Sequence, residues 1–377
     1  MKDLIKMVDL RNQYLNIKTE IDEKIQETID STHFIGGKNV EDFKISFQKY
    51  LGVNYVIPCA NGTDALQISL MSLSLKRGDE IIVPAFTYVS TAEVISILGL
   101  KPIIVDVDYS NFNISINKLE GLITKKTKAI IPVHLFGQSS PMEEILLLAE
   151  KYNLFIIEDN AQAIGADFIF KNGDRQKLGT IGDIGCTSFF PSKNLGCYGD
   201  GGAIMTNNKE LAEKLKKITN HGQTKKYHHD IIGCNSRLDS IQAGILDVKL
   251  KYLDLYNEKR YKSAIVYNNE LKNIEEIQIP NELNYSTHVY HQYTLKIKQG
   301  KRDMLKLYLN GKNIPTMIYY PIPLHKQRAF KFYVNDNFNL PISEKLCEEV
   351  ISLPMHTELG SSSQEYIINS IKSFFKS

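Results

Sequence analysis

The sequence predicts an α/β protein whose parallel sheet is covered by helices on both faces. Runs of four to six aliphatic residues recur with turn residues on each side, the pattern of strands buried on both faces. Helical patterns alternate with these runs, and a βαβα rhythm builds a parallel sheet. With 377 residues, 43% of them hydrophobic and 23% charged, the chain can bury a large core without disulfides or a structural metal.

In chain order, YVIPC (55–59) reads as a strand and Ala65–Leu75 as a helix. Glu80–Pro84 is a strand and Ser90–Leu98 a helix. Pro102–Val107, Ala129–Val133 and Leu154–Glu158 are further strands, with a helix at Met142–Tyr152 before the last. Lys209–Thr219 is helical, a polar stretch HGQTKKYHHD follows, and Leu238–Ile265 reads as one long helix. Tyr290–Lys298 and Thr316–Tyr320 read as strands, and Arg302–Leu309 and Gln364–Phe375 as helices. The change of pattern after residue 205 predicts two closely packed domains, 1–250 and 251–377, divided inside the long helix.

Lys and Arg total 45 against 43 Asp and Glu, a net charge of +2. That balance argues against a nucleic-acid binder, and the apolar content argues against disorder. Cysteines 59, 186, 197, 234 and 347 are odd in number and form no C-x-x-C pair, which argues against a disulfide framework or zinc ribbon. Reduced thiols and a cytoplasmic location are expected. The N-terminal MKDLIKMVDLRNQ has no apolar signal core, and no apolar run reaches the ~18 residues of a membrane span.

Five segments carry candidate chemistry. Asn61-Gly62-Thr63-Asp64 lies between a strand and a helix. Gly62 allows a tight turn, and the backbone N–H groups of 62–64 at a helix N-terminus suit a phosphate; capping by Thr63 or Asp64 is the plainer reading. Asp159, in IEDNAQ, ends a very apolar strand, so its carboxylate needs a cationic or hydrogen-bonding partner. It would face a protonated heterocycle nitrogen, or cap the next helix. Lys193 sits between the aromatic SFFPS and a glycine-rich stretch. A lysine in apolar surroundings has a lowered pKa and can form a Schiff base, whereas a lone lysine is ordinarily a solvated surface residue. Asn235-Ser236-Arg237 precedes the long helix and could simply cap it. His221, Tyr227, His228 and His229 form a polar loop; adjacent histidines do not share one face, so no metal is expected and a loop reaching a ligand fits better.

Together ANGTDAL, PAFTYVSTAE, IEDNAQ, SFFPSKNLGCYGDGGA and NSRLD resemble, in order and spacing, the sugar aminotransferases of the DegT/StrS family. The resemblance runs from VDLRNQY (8–14) to SLPMHTEL (352–359). It implies the aspartate-aminotransferase fold type I, with a large mostly parallel seven-stranded sheet and a smaller C-terminal α/β domain. It implies pyridoxal 5′-phosphate (PLP) as cofactor, with the pyridoxamine form as intermediate. On this resemblance Lys193 forms the Schiff base and Asp159 keeps the pyridine nitrogen protonated. Gln162 contacts the ring 3-oxygen, Tyr88 stacks on the ring, and Gly62, Thr63 and Ser188 hold the phosphate. Asn235 completes the phosphate site of the neighbouring subunit, which implies a homodimer with shared active sites. Arg237, Tyr319, Tyr320, His221 and Tyr227 are implied at the sugar pocket.

The implied reaction moves an amino group from L-glutamate to a nucleotide-linked keto sugar by ping-pong chemistry. HGQTKKYHH (221–229), GCNSRLD (233–239) and YYPIPLHKQ (319–327) look most like enzymes acting on UDP-2-acetamido-3-oxo-glucuronate. Those enzymes tend to carry His where this chain has Tyr319, which brings no positive charge for a C6 carboxylate; Arg237 could still pair with one. HVYHQYTL-like and IYYP-like segments also occur in enzymes of dTDP-3-keto-6-deoxyhexoses, and a 4-keto substrate is a further alternative. The product expected is a 3-amino sugar for surface polysaccharide or lipid A. Dehydratases of the family carry His in place of the lysine, so Lys193 argues against dehydration. A non-enzymatic role on this fold would leave Lys193 and Asp159 without work.

Overall fold

A computed structural model describes residues 4–334 and 338–376, so the first three residues of the N-terminal stretch lie outside it. Seven strands form the main sheet: β1 (Tyr55–Cys59), β2 (Glu80–Pro84), β3 (Lys101–Val105), β4 (Thr127–Ile130), β5 (Phe155–Asp159), β8 (Ile184–Ser188) and β9 (Gly202–Thr206). Between β5 and β8 a small ribbon is formed by β6 (Asp167–Ile169) and β7 (Arg175–Lys177). The main order is β1-β9-β8-β5-β4-β2-β3. β3, β2, β4, β5 and β8 run parallel, and β9 lies antiparallel between β8 and β1.

Alternation along each strand feeds two cores. Ile81, Val83, Ala129 and Ile157 pack on one face with the helices Gly62–Ser72 and Ser90–Ile97. Ile82, Ile130 and Ile156 pack on the other with the helix Met142–Tyr152. Both faces are buried, which is why these strands read as unbroken aliphatic runs.

Three helices, Leu10–Asn16, Lys18–Ser31 and Lys38–Leu51, precede the sheet and were not legible as elements in the strand–helix rhythm. The polar stretch after residue 220 folds into a short ribbon, β10 (Gln223–Lys225) with β11 (His228–His229). A three-stranded C-terminal sheet orders β12 (Ile277–Gln278), β13 (Tyr293–Ile297) and β14 (Val350–Leu353), with its own aliphatic and aromatic cluster.

Two elements differ from the sequence expectation. The long helix is two, Ser240–Leu250 and Leu253–Leu271, because the chain tightens at its junction: Tyr252 N–H bonds Lys249 O, three residues back. Every residue at the break is an acceptable helix former, so no signal marks it. Thr316–Tyr320 is not a strand; only Met317 bridges Ser352, and Val350–Leu353 takes the sheet position. Pro315, Pro321 and Pro323 bracket that segment and leave it short of ladder donors. The five cysteines are free, four of them buried. Among the described residues no helix is long and apolar enough to cross a membrane.

Candidate active site

The site gathers where β1, β5 and β8 end, at the carboxyl edge of the parallel strands. In register, Cys59 faces Gly202 and Gly202 faces Ser188, so the antiparallel β9 ties the ends of β1 and β8 together. The helix after β1 begins at Gly62 and is capped by Asn61, whose side chain accepts from Asp64 N–H at 2.8 Å. Neither Thr63 nor Asp64 is the cap, because Asn61 is the residue with extended backbone before the first turn. That frees the Thr63 hydroxyl, which meets Ser90 Oγ at 2.8 Å. A Cβ on Gly62 would stand 2.6 Å from Ser188 Cβ, so the turn at 62 and the end of β8 touch only because residue 62 is glycine. Ser188 Oγ accepts from Phe190 N–H at 3.3 Å.

Asp159 is the last residue of β5 and is 7% exposed. Its Oδ2 accepts from Thr91 Oγ at 2.8 Å and its Oδ1 from Ala161 N–H at 3.2 Å. Burial pushes its pKa up; Thr91, Ala161, Lys193 and His134 oppose that, in this order. A turn and not a helix follows, so Asp159 is not an N-cap. The adjacent Glu158 has a structural task. It accepts from Gly179, Ile181 and Gly182 N–H at 2.8, 2.6 and 2.7 Å and meets His134 Nε2 at 2.9 Å. His134 Nδ1 accepts from Ser140 N–H, so the ring proton is on Nε2, facing Glu158.

Lys193 lies on the tight turn after β8, where its N–H bonds Phe190 O at 2.8 Å. Burial lowers its amine to about 8, against the opposing pull of Asp159. Neither Lys193 nor Asp159 takes part in an ion pair among the described residues. The next residue anchors the turn: Asn194 Nδ2 donates to Asn257 Oδ1 (2.7 Å) and Val289 O (3.0 Å), and its Oδ1 lies 3.3 Å from His291 Nδ1.

Gln162 Oε1 accepts from Phe136 N–H at 2.9 Å, and its Nε2 donates to the Tyr320 hydroxyl at 3.1 Å. Phe136 holds a left-handed backbone, φ 59°, to present that N–H. Tyr88 is 57% exposed, with its ring centroid 6.3 Å from that of Tyr320, which in turn is 6.0 Å from Tyr319.

Asn235, Arg237, His221 and Tyr227 lie apart from this group. Asn235 and Arg237 are exposed, and the helix they precede begins at Ser240 after Asp239, so neither Asn235 nor Ser236 caps it. Ser236 instead accepts from Ala60 N–H at 3.2 Å, tying the segment to the back of the turn at 62. Asn235 bridges Asn220, and His221 O meets His229 Nδ1 at 2.9 Å. Arg237 lines an open groove of about 920 Å³ with Lys216, Lys217, Lys225 and Lys226. Tyr227 is 80% exposed. Among the described residues no cluster of His, Cys, Asp and Glu could hold a metal. Sequence reasoning missed Thr91, Phe136 and Asn194 as partners of the site; each is an ordinary side chain or backbone group until the fold turns it inward.

The sequence profile of the DegT/DnrJ/EryC1/StrS aminotransferase family matches residues 15–372. The chain belongs to this family. It is 42% identical over 364 residues to UDP-2-acetamido-2-deoxy-3-oxo-D-glucuronate aminotransferase of Pseudomonas aeruginosa, covering 97% of this chain and 98% of that protein. It is 43% identical over 355 residues to UDP-N-acetyl-3-dehydro-alpha-D-glucosamine 3-aminotransferase of Acidithiobacillus ferrooxidans, covering 94% of each. The crystal structure of DesV from S. venezuelae in complex with a ketimine intermediate superposes with a TM-score of 0.94 at 33% identity, covering 99% of both chains. The fold is therefore fold type I, and the protein is a PLP-dependent sugar aminotransferase. The residues present suit that cofactor. A buried carboxylate and the amine of a partly buried lysine, neither ion-paired among the described residues, match a ring N–H cation and an aldehyde.

Proposed function

We propose that the protein transfers the amino group of L-glutamate to a UDP-linked 3-keto sugar of the 2-acetamido-3-oxo-glucose or -glucuronate type. The UDP-3-amino sugar formed would enter surface polysaccharide or lipid A synthesis. The observation that carries the chemistry is the buried Asp159 carboxylate, held by Thr91 and Ala161 at the end of β5, together with a Lys193 amine that burial lowers to about 8. The sugar rests on the two relatives that act on UDP-3-oxo sugars.

PLP, when bound, supplies an electron sink and an amino-group carrier. Lys193 would hold it, and the Lys193 Nζ, when free, would take the donor's α-proton and return it. An amine near 8 has a substantial neutral fraction at pH 7–8, as a base requires. Asp159 favours a protonated ring nitrogen. Gln162, turned by Phe136 N–H and giving one amide N–H to Tyr320, has its second amide N–H for the ring oxygen, and Tyr88 covers the ring. Gly62, Thr63 and Ser188 hold the phosphate. Residues 1–250 form the cofactor domain and 251–377 the smaller one.

Asn235, Arg237, His221 and Tyr227 serve the site of a second subunit in a homodimer. Their exposure supports this, since an exposed side chain is available to a second subunit. Tyr319 and Tyr320 line the sugar pocket. Tyr319 is uncharged, which favours a C6 hydroxymethyl over a carboxylate unless Arg237 supplies the charge.

The test is an absorption spectrum of the purified holoenzyme before and after L-glutamate. The yellow band should bleach, and a UDP-3-keto sugar should restore it while dTDP-linked and 4-keto sugars do not. Restoration only by a dTDP-3-keto-6-deoxyhexose or a 4-keto sugar overturns the substrate reading. A band indifferent to glutamate overturns the donor. Lys193→Ala should abolish turnover while keeping the fold.

A further inference from the structure

Asp159 can serve a ring nitrogen only as an anion, yet it sits where anions are disfavoured. It is 7% exposed, and no lysine or arginine pairs with it among the described residues. Two neutral donors remain, the Ala161 N–H on Oδ1 and the Thr91 hydroxyl on Oδ2. The Thr91 contact is the shorter, 2.8 Å against 3.2 Å, and Thr91 is fully buried.

Threonine has one hydroxyl proton, and here the carboxylate takes it. Thr87 Oγ1 lies 3.4 Å from Thr91 Oγ1, so Thr87 must be the donor in that pair. The two hydroxyls then point the same way, Thr87 to Thr91 to Asp159, and each polarises the next. A helical threonine commonly turns its hydroxyl back to a carbonyl of the preceding turn. Thr91, on the first turn of the helix Ser90–Ile97, directs it across to the end of β5 instead.

We propose that Thr91 is a positioning residue that acts through Asp159, its hydroxyl keeping that carboxylate ionised and oriented for the pyridine nitrogen of PLP. This rests on the reading of Asp159 as the partner of that nitrogen. Removing the hydroxyl leaves a buried carboxylate with one backbone donor, and the shared proton moves from ring to carboxylate.

The test loads wild type, Thr91→Val, Thr91→Ser and Asp159→Asn with PLP labelled with 15N at the ring nitrogen and records its nitrogen chemical shift. Valine keeps the shape of threonine, so the core is preserved. The Val variant should move toward the unprotonated shift of Asp159→Asn, with kcat down about tenfold to a hundredfold and sugar KM little changed. The Ser variant should return both to the wild-type values. A Thr91→Val enzyme with wild-type shift overturns the proposal, even if its activity falls, because a packing defect alone would leave the nitrogen protonated. An unmoved shift in Asp159→Asn overturns the reading of Asp159 itself. Should the Val variant fail to load, Thr91→Ala compared with Thr91→Ser decides by the same shift.

Discussion

Gly62, the first residue of the helix after β1, and Ser188, the last residue of β8, meet so closely that a Cβ on the glycine would lie 2.6 Å from the serine Cβ. Gly62→Ala must therefore push the end of β8 away from the turn. Overpacking of this kind costs about 1–3 kcal/mol. PLP affinity should fall roughly tenfold or more, measured by cofactor titration of the apo-protein, with the far-ultraviolet spectrum unchanged. An Ala variant of native affinity would remove the turn from the phosphate site.

The Lys193 amine titrates near 8 in the folded protein against an ordinary 10.5. The unfolded chain thus binds this proton more tightly than the fold does. The resulting penalty is absent above the unfolded value, grows as pH falls through the window between the two, and is complete below the folded one. Lys193→Met should raise the apo-protein's Tm by roughly 2–6 °C at pH 7 and by almost nothing near pH 10.5. Equal gains at both would place the stabilisation in packing rather than in charge.

Asn235 is exposed and Lys193 is partly buried on the same chain. If each site takes Asn235 from the other subunit, Lys193→Ala and Asn235→Ala proteins are each inactive alone. Mixed dimers should recover roughly a quarter of wild-type turnover, one intact site in half of the dimers. No recovery after unfolding and refolding the two together would put Asn235 in its own chain's site.

Tyr319→His should shift the ratio of kcat/KM toward the uronate over the uncharged sugar by about tenfold, most strongly below about pH 6.5, where the imidazole is charged. A ratio independent of pH would mean that residue 319 does not face C6.

The parallel sheet was legible because strands buried on both faces leave aliphatic runs, and β2 and β5 lie within a residue or so of where those runs end. Lys193 and Asp159 stood out because each charge lies beside an apolar run, whereas Gln162 was implied only by the family resemblance. The break at Tyr252 and the strand Val350–Leu353 were not legible. The first is a local tightening from Tyr252 N–H to Lys249 O, and the second depends on which segment finds β13 as a partner.

The sequence by itself pointed to the family, the fold class and the cofactor, because its motifs resemble those of the family in order and spacing. Tertiary structure alone decided the environment of the site residues. Thr91 reaches Asp159 across 68 residues, and Asn194 reaches Asn257 across 63. Ionisation depends on burial and on donors brought from distant segments, and no local pattern carries either.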